Sequence, residues 1–77
     1  MNWKNTVTDP KEVKVFEALD GPSHTWRTLG GIARQAGLAE QEVADILRKY
    51  NLKLTRQSAT PSVSGSALVG LIEKVGV

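Results

Sequence analysis

The residues able to do covalent chemistry are few. His24 is the one histidine among 77 residues, and no cysteine is present. A Ser-His-Asp or Cys-His arrangement needs a nucleophile, a base and an orienting group, and here the single base lies in a loop beside Pro22 and Ser23. A metal centre needs a cluster of His, Cys or closely spaced carboxylates, which one His and scattered acids do not supply. Gly30-Gly31 belongs to neither a GxGxxG nor a GxxxxGK(S/T) phosphate loop, so the pair suits close helix packing instead. No catalytic residue, metal or cofactor is expected.

Binding chemistry is better supplied. Arg48, Lys49, Lys53 and Arg56 fall within nine consecutive residues, the spacing of a surface that meets phosphates. Gln41 adds the side chain best suited to reading a base edge. The opposing feature is Glu40, Glu42 and Asp45 in the same region. Three carboxylates set against DNA, which carries about one negative charge per 1.7 Å of axis, oppose binding. Glu40 and Glu42 also have a local role, since acids in the first turn of a helix complement its dipole, and Ala39 is a poor cap.

The charge distribution sharpens this contrast. The formal net charge is +2, but residues 1–45 carry five basic against seven acidic side chains, while 46–77 carry five basic side chains against Glu73 alone. Between Asp45 and Glu73 there is no carboxylate. An acidic front is thus followed by a basic rear.

The elements that must hold these residues follow from caps and periodicity. Residues 1–8 show no period and read as a flexible tail, with Trp3 able to fold back onto the body. Asp9-Pro10-Lys11-Glu12 opens a first helix with an N-cap, a proline at the first helical position and a Glu that completes a capping box. Val13, Phe16 and Leu19 give it an apolar stripe, and Asp20-Gly21-Pro22 ends it. Thr25-Trp26-Arg27 suits a short strand, with Trp26 inside the core. Thr28 caps a second helix, with Leu29, Ile32, Ala33 and Ala36 on one face and Gly37 as its stop. A third helix places Val43, Ile46, Leu47 and Tyr50 on one face, closed by Asn51 as a left-handed cap.

The period then falls to two. Leu52 and Leu54 alternate with Lys53 and Thr55 as a strand, and Arg56-Gln57 lead into a polar loop from Ser58 to Ser66. Ala67 to Ile72 reads as the returning strand, and 73–77 as a C-terminal tail. The fold class predicted is α+β: three helices followed by a two-stranded wing, with a short extra strand before the second helix, in one domain over residues 9–72.

Thr25 to Tyr50, TWRTLGGIARQAGLAEQEVADILRKY, resembles the helix-turn-helix of bacterial winged-helix domains. Among these are small modules with a Trp-Arg-Thr opening, a helix ending in Ala-x-x-x-Gly-Leu and a Glu-rich third helix. The resemblance implies a winged helix-turn-helix acting in bacterial regulation. It leaves two functions open, because winged helices serve in transcription and as docking modules. The first is weak binding of double-stranded DNA through Arg48, Lys49, Lys53 and Arg56, with a secondary role for Gln41. The second is a protein partner met through the acidic third helix, with Trp3 and Val63 as contact points. The lack of cysteine and of a roughly 20-residue apolar run predicts a cytoplasmic domain without a membrane span.

Overall fold

A computed structural model describes residues 3–21, 26–60, 65 and 67–76. The chain is α+β. Helix α1 spans Pro10–Leu19, strand β1 Arg27–Thr28, helix α2 Leu29–Ala36 and helix α3 Glu40–Tyr50. Strands β2, Thr55–Gln57, and β3, Leu68–Leu71, follow, and the single turn α4, Ile72–Val75, closes the described chain. The sheet is antiparallel with β3 central, in the order β1-β3-β2. Arg27 pairs with Val69 on one side, and Arg56 with Gly70 on the other.

The helix boundaries follow local chemistry. Asp9 accepts from the amides of Lys11 at 2.9 Å and Glu12 at 3.3 Å, ahead of Pro10. Thr28 Oγ1 accepts from Gly31 N–H at 3.1 Å to start α2. Gly37, at φ 72°, stops α2 by donating to Ala33 O, and Leu38 donates to the same oxygen. A Cβ on Gly31 would lie 3.1 Å from both Arg27 Nη2 and Thr28 Oγ1. The missing side chain therefore admits the Arg27 guanidinium over the start of α2, from where it donates to Ala18 O at 3.2 Å and to Gln35.

Phe16, Leu19 and Val15 of α1, Ile32 of α2, Val43 of α3 and Leu71 of β3 form the fully buried centre. Leu38, Ile46 and Leu54 pack around it. Phe16 sits between two rings, 5.4 Å from Trp3 and edge-on to Tyr50 at 5.2 Å. The apolar stripes of three helices and one face of β3 thus share one core.

Several expectations give way here. From Trp3 onward the N-terminal segment is not a tail: Trp3–Asn5 form a 3-10 turn, and Trp3, only 3% exposed, and Val7 belong to the core. A Trp face is too large an apolar surface to leave in water when Phe16 offers a partner. Trp26 is half-buried instead of internal, with the Arg56 guanidinium 5.9 Å from its ring. Leu52, Lys53 and Leu54 are turn rather than strand, because Leu52, not Asn51, takes the left-handed conformation that ends α3. Glu12 closes no capping box; its carboxylate turns inward to α3. The expected C-terminal tail includes most of α4, and its Lys74 is tied back to α1. The readings placed on Thr25, His24 and Val63 lie outside the described residues.

Asp20, at the end of α1, holds both ends of the domain. Its Oδ2 accepts from Trp3 Nε1 at 3.1 Å, and its Oδ1 lies 3.2 Å from Lys74 Nζ, which also donates to Gly21 O. Burial pushes this carboxyl up, but the Trp3 and Lys74 bonds together outweigh burial and hold it below its ordinary 3.8. A depressed folded pKa means stability present above the unfolded value and lost as pH falls through the folded one. Thermal melts between about pH 5 and pH 2 should therefore show a smaller acid loss for Asp20→Asn than for the parent. Equal acid limbs would remove Asp20 from that role.

Candidate nucleic-acid interface

The C-terminal half of α3 and the edge of the sheet leave an open groove of about 210 Å³ between them. Ala44, Leu47 and Arg48 line it from α3 and Asn51 from the residue that caps it, spaced three or four residues apart as one helical face requires. Thr55, Arg56 and Gln57 line it from β2, Val69 from β3, and Leu29 from the start of α2. The lining combines apolar side chains with amides and guanidinium groups, and among the described residues no lining residue is acidic.

Two of the five candidate residues meet here. Arg48 extends outward with its side chain 74% exposed. Arg56 is half-buried and held on both sides, by the Trp26 ring and by a 3.3 Å bond from Nη1 to Gly76 O. A guanidinium already positioned near a ring and bonded to a carbonyl has less freedom to lose on meeting an anion.

The other three lie off the groove. Lys49 turns toward α1, with Nζ 2.9 Å from Glu12 Oε2 and 5.3 Å from the centre of the Tyr50 ring. The Glu12 hydrogen bond and charge raise its pKa, so the cation is spent on an internal partner. Lys53 lies on the turn after α3 and borders a separate cleft with Trp3, Leu54, Leu71, Ile72 and Glu73. Gln41 is exposed one turn before Asp45 and donates Nε2–H to Asp45 Oδ1 at 3.0 Å. Arg48 Nη1 donates to that same oxygen at 3.3 Å. The four cations that are neighbours in sequence therefore divide among three surfaces, Arg48 and Arg56 at the groove, Lys49 against α1 and Lys53 at the second cleft, since helix phase and the α3–β2 turn separate them.

The acidic front is partly neutralised. Lys11 of α1 reaches Glu42 Oε2 at 2.9 Å across 31 residues, and that bond, with the long 3.4 Å one from Ala39 N–H, lowers the Glu42 pKa. Asp45 is occupied by Gln41 and Arg48. All these pairs are exposed, so solvent screens them, each adds little stability, and each yields readily to a stronger partner. Glu40 remains exposed in the first turn of α3.

Neither a protein-family model, a curated protein nor a solved structure matches this chain. The site therefore stands on its geometry. Among the described residues no group of three or more His, Cys, Asp or Glu could hold a metal, and no helix is long and apolar enough to cross a membrane. Asn51 and Gln57, which the sequence reading passed over, complete the rim with hydrogen-bonding amides. Helix phase puts Asn51 one turn after Arg48 on the same face, whereas strict strand alternation sets Gln57 opposite Arg56, so only the tertiary structure brings Gln57 to the rim.

Proposed function

We propose that this domain is a non-catalytic winged-helix binding module that meets the phosphate backbone of double-stranded DNA at the Arg48–Arg56 groove. The order of α1, β1, α2, α3 and the β2–β3 pair supports the winged-helix reading. One observation carries the DNA reading: two arginines from adjacent elements flank a single concave surface without a carboxylate in its lining. Arginine pairs bidentately with phosphate oxygens, and amide rims such as Asn51 and Gln57 add neutral donors that fix register without reading bases. Base readout by α3 is minor in this mode. Gln41 is its best reader and is bonded to Asp45, and Glu40 keeps an acid on that face.

So few contacts mean weak, salt-sensitive binding, with Kd on the order of 10⁻⁴–10⁻⁶ M at physiological salt. In a titration with random-sequence duplex followed through backbone amides, shifts should centre on Arg48, Asn51, Arg56 and Gln57. Arg48→Gln should weaken binding evenly across sequences and flatten the salt slope by about one unit. Lys49→Gln should leave the slope unchanged, because Lys49 serves Glu12. Unmoved amides at low salt would exclude the DNA reading and leave a docking module that does not touch nucleic acid.

A further inference from the structure

Leu52 is out of place in two independent ways. It is 72% exposed, the one large apolar residue so placed among the described residues. Its φ is 64°, the one positive value among described residues other than glycine. Exposure alone carries no meaning for a single leucine. A left-handed backbone is different, because it crowds any Cβ, and a helix end of this kind favours Gly or Asn. The turn imposes the conformation: Leu52 N–H donates to Thr55 O at 2.7 Å, and Lys53 and Leu54 N–H both donate to Tyr50 O at 3.0 Å. Asn at this position would be both less strained and better solvated, and among the described residues no burial of the side chain offsets the strain of leucine. Strain of this kind concentrates at functional surfaces.

The surroundings indicate the chemistry of an occupant. Leu52 and Ile72 form the apolar part of a cleft completed by Asn51, Arg56 and Gln57. Those last three residues also border the Arg48–Arg56 groove, so the two depressions share a rim. Neither is lined by an acid, and the chain has no carboxylate from Ile46 through Ile72. Glu73 follows Ile72 but lines the separate cleft beside Trp3 and Lys53.

We propose that Leu52 is the apolar anchor of a docking surface for an acidic, leucine-bearing segment of a partner protein. Interfaces draw their energy from a few buried anchors surrounded by polar contacts. An amphipathic acidic helix offers both an apolar face for Leu52 and Ile72 and carboxylates for Arg56 and Arg48. A duplex backbone offers only the charge. The surface shares Arg56 with the proposed DNA groove but does not depend on DNA binding.

Leu52→Asn separates the possibilities, because it removes the anchor while easing the backbone. The variant should melt higher than the parent, by on the order of 4 °C. The probe is a short amphipathic peptide with leucines on one face and glutamates on the other, with controls that replace its glutamates by lysine or its leucines by alanine. The acidic leucine peptide should shift the amides of Leu52, Arg56 and Ile72, and Leu52→Asn should weaken it by about tenfold or more. Both controls should fail to bind. Duplex binding should be unchanged by Leu52→Asn and reduced by Arg48→Gln, so that the failure of either reading is visible separately. Four results overturn the proposal: no shift at Leu52, equal binding by the variant, equal binding of a control peptide, or an unchanged or lower melting temperature. Duplex-induced shifts at Leu52 that vanish in the variant would assign the surface to DNA and overturn it as well.

Discussion

Trp3→Ala destabilises the domain by about 3–5 kcal/mol, the range for emptying a buried Trp site. The ring is 3% exposed, stacks at a tilt on Phe16 and donates to Asp20, so its loss opens the core and removes the bond that fastens the N-terminal turn. For a chain of this length total stability is on the order of 4–12 kcal/mol, and the variant approaches the unfolding threshold. Urea midpoints read the effect. Trp3→Phe keeps most of the packing and loses the hydrogen bond, so it should cost about 1 kcal/mol. Asn5→Ala, on the exposed side of the same turn, should lie within about 0.5 kcal/mol of the parent. A loss below about 1 kcal/mol for Trp3→Ala would mean that the segment is dispensable.

Glu12→Ala costs about 2 kcal/mol, through a different mechanism. Glu12 is the one buried acid among the described residues; Oε1 accepts from Tyr50 Oη at 2.5 Å and Oε2 from Lys49 Nζ at 2.9 Å. Removing it leaves the Tyr50 hydroxyl buried without its partner, whereas the Lys49 ammonium, whose side chain is largely exposed, returns to water. Tyr50→Phe in the Glu12→Ala background should therefore recover about 1 kcal/mol, and in the parent background it should destabilise. Additive losses in this cycle would show that the pair is uncoupled. The same contacts set the alkaline limb. Burial first, then the Glu12 bond, raises the Tyr50 pKa above its ordinary 10.0, and the Glu12 bond raises Lys49 above 10.5. Raised folded values mean stability that is complete below those pH values and lost as pH climbs past them. Glu12→Ala should make that decline shallower.

The parts of the fold legible in the chain were those decided within a few residues. Asp9 before Pro10, Thr28 three residues before Gly31, and Gly37 after Ala36 each bring donor, acceptor and backbone preference together locally. The face of α3 was legible for the same reason, since helical phase alone assigns Val43, Leu47 and Tyr50 to the core. Where two local solutions competed, distant partners decided. Glu12 had an amide of its own helix start within reach and instead bonds side chains 37 and 38 residues away, because Tyr50 is fixed in the core against Phe16. Leu52 and Leu54 alternate with polar neighbours as a strand does, yet the turn that ends α3 takes up Leu52 and delays β2 to Thr55.

The candidate site followed the same division. Composition and order alone determined that the rear of the chain is basic and the front acidic, that cysteine chemistry is absent, and that the fold class is α+β. Only the tertiary structure decided which charges work together. Arg48 and Arg56 converge on one groove, Lys49 is taken by Glu12, Lys53 borders another cleft, and Glu42 is matched by Lys11 from α1. The reason is geometric: adjacent residues of a helix lie roughly 100° apart around its axis, so a run of cations in sequence becomes a surface only where a second element faces the same way.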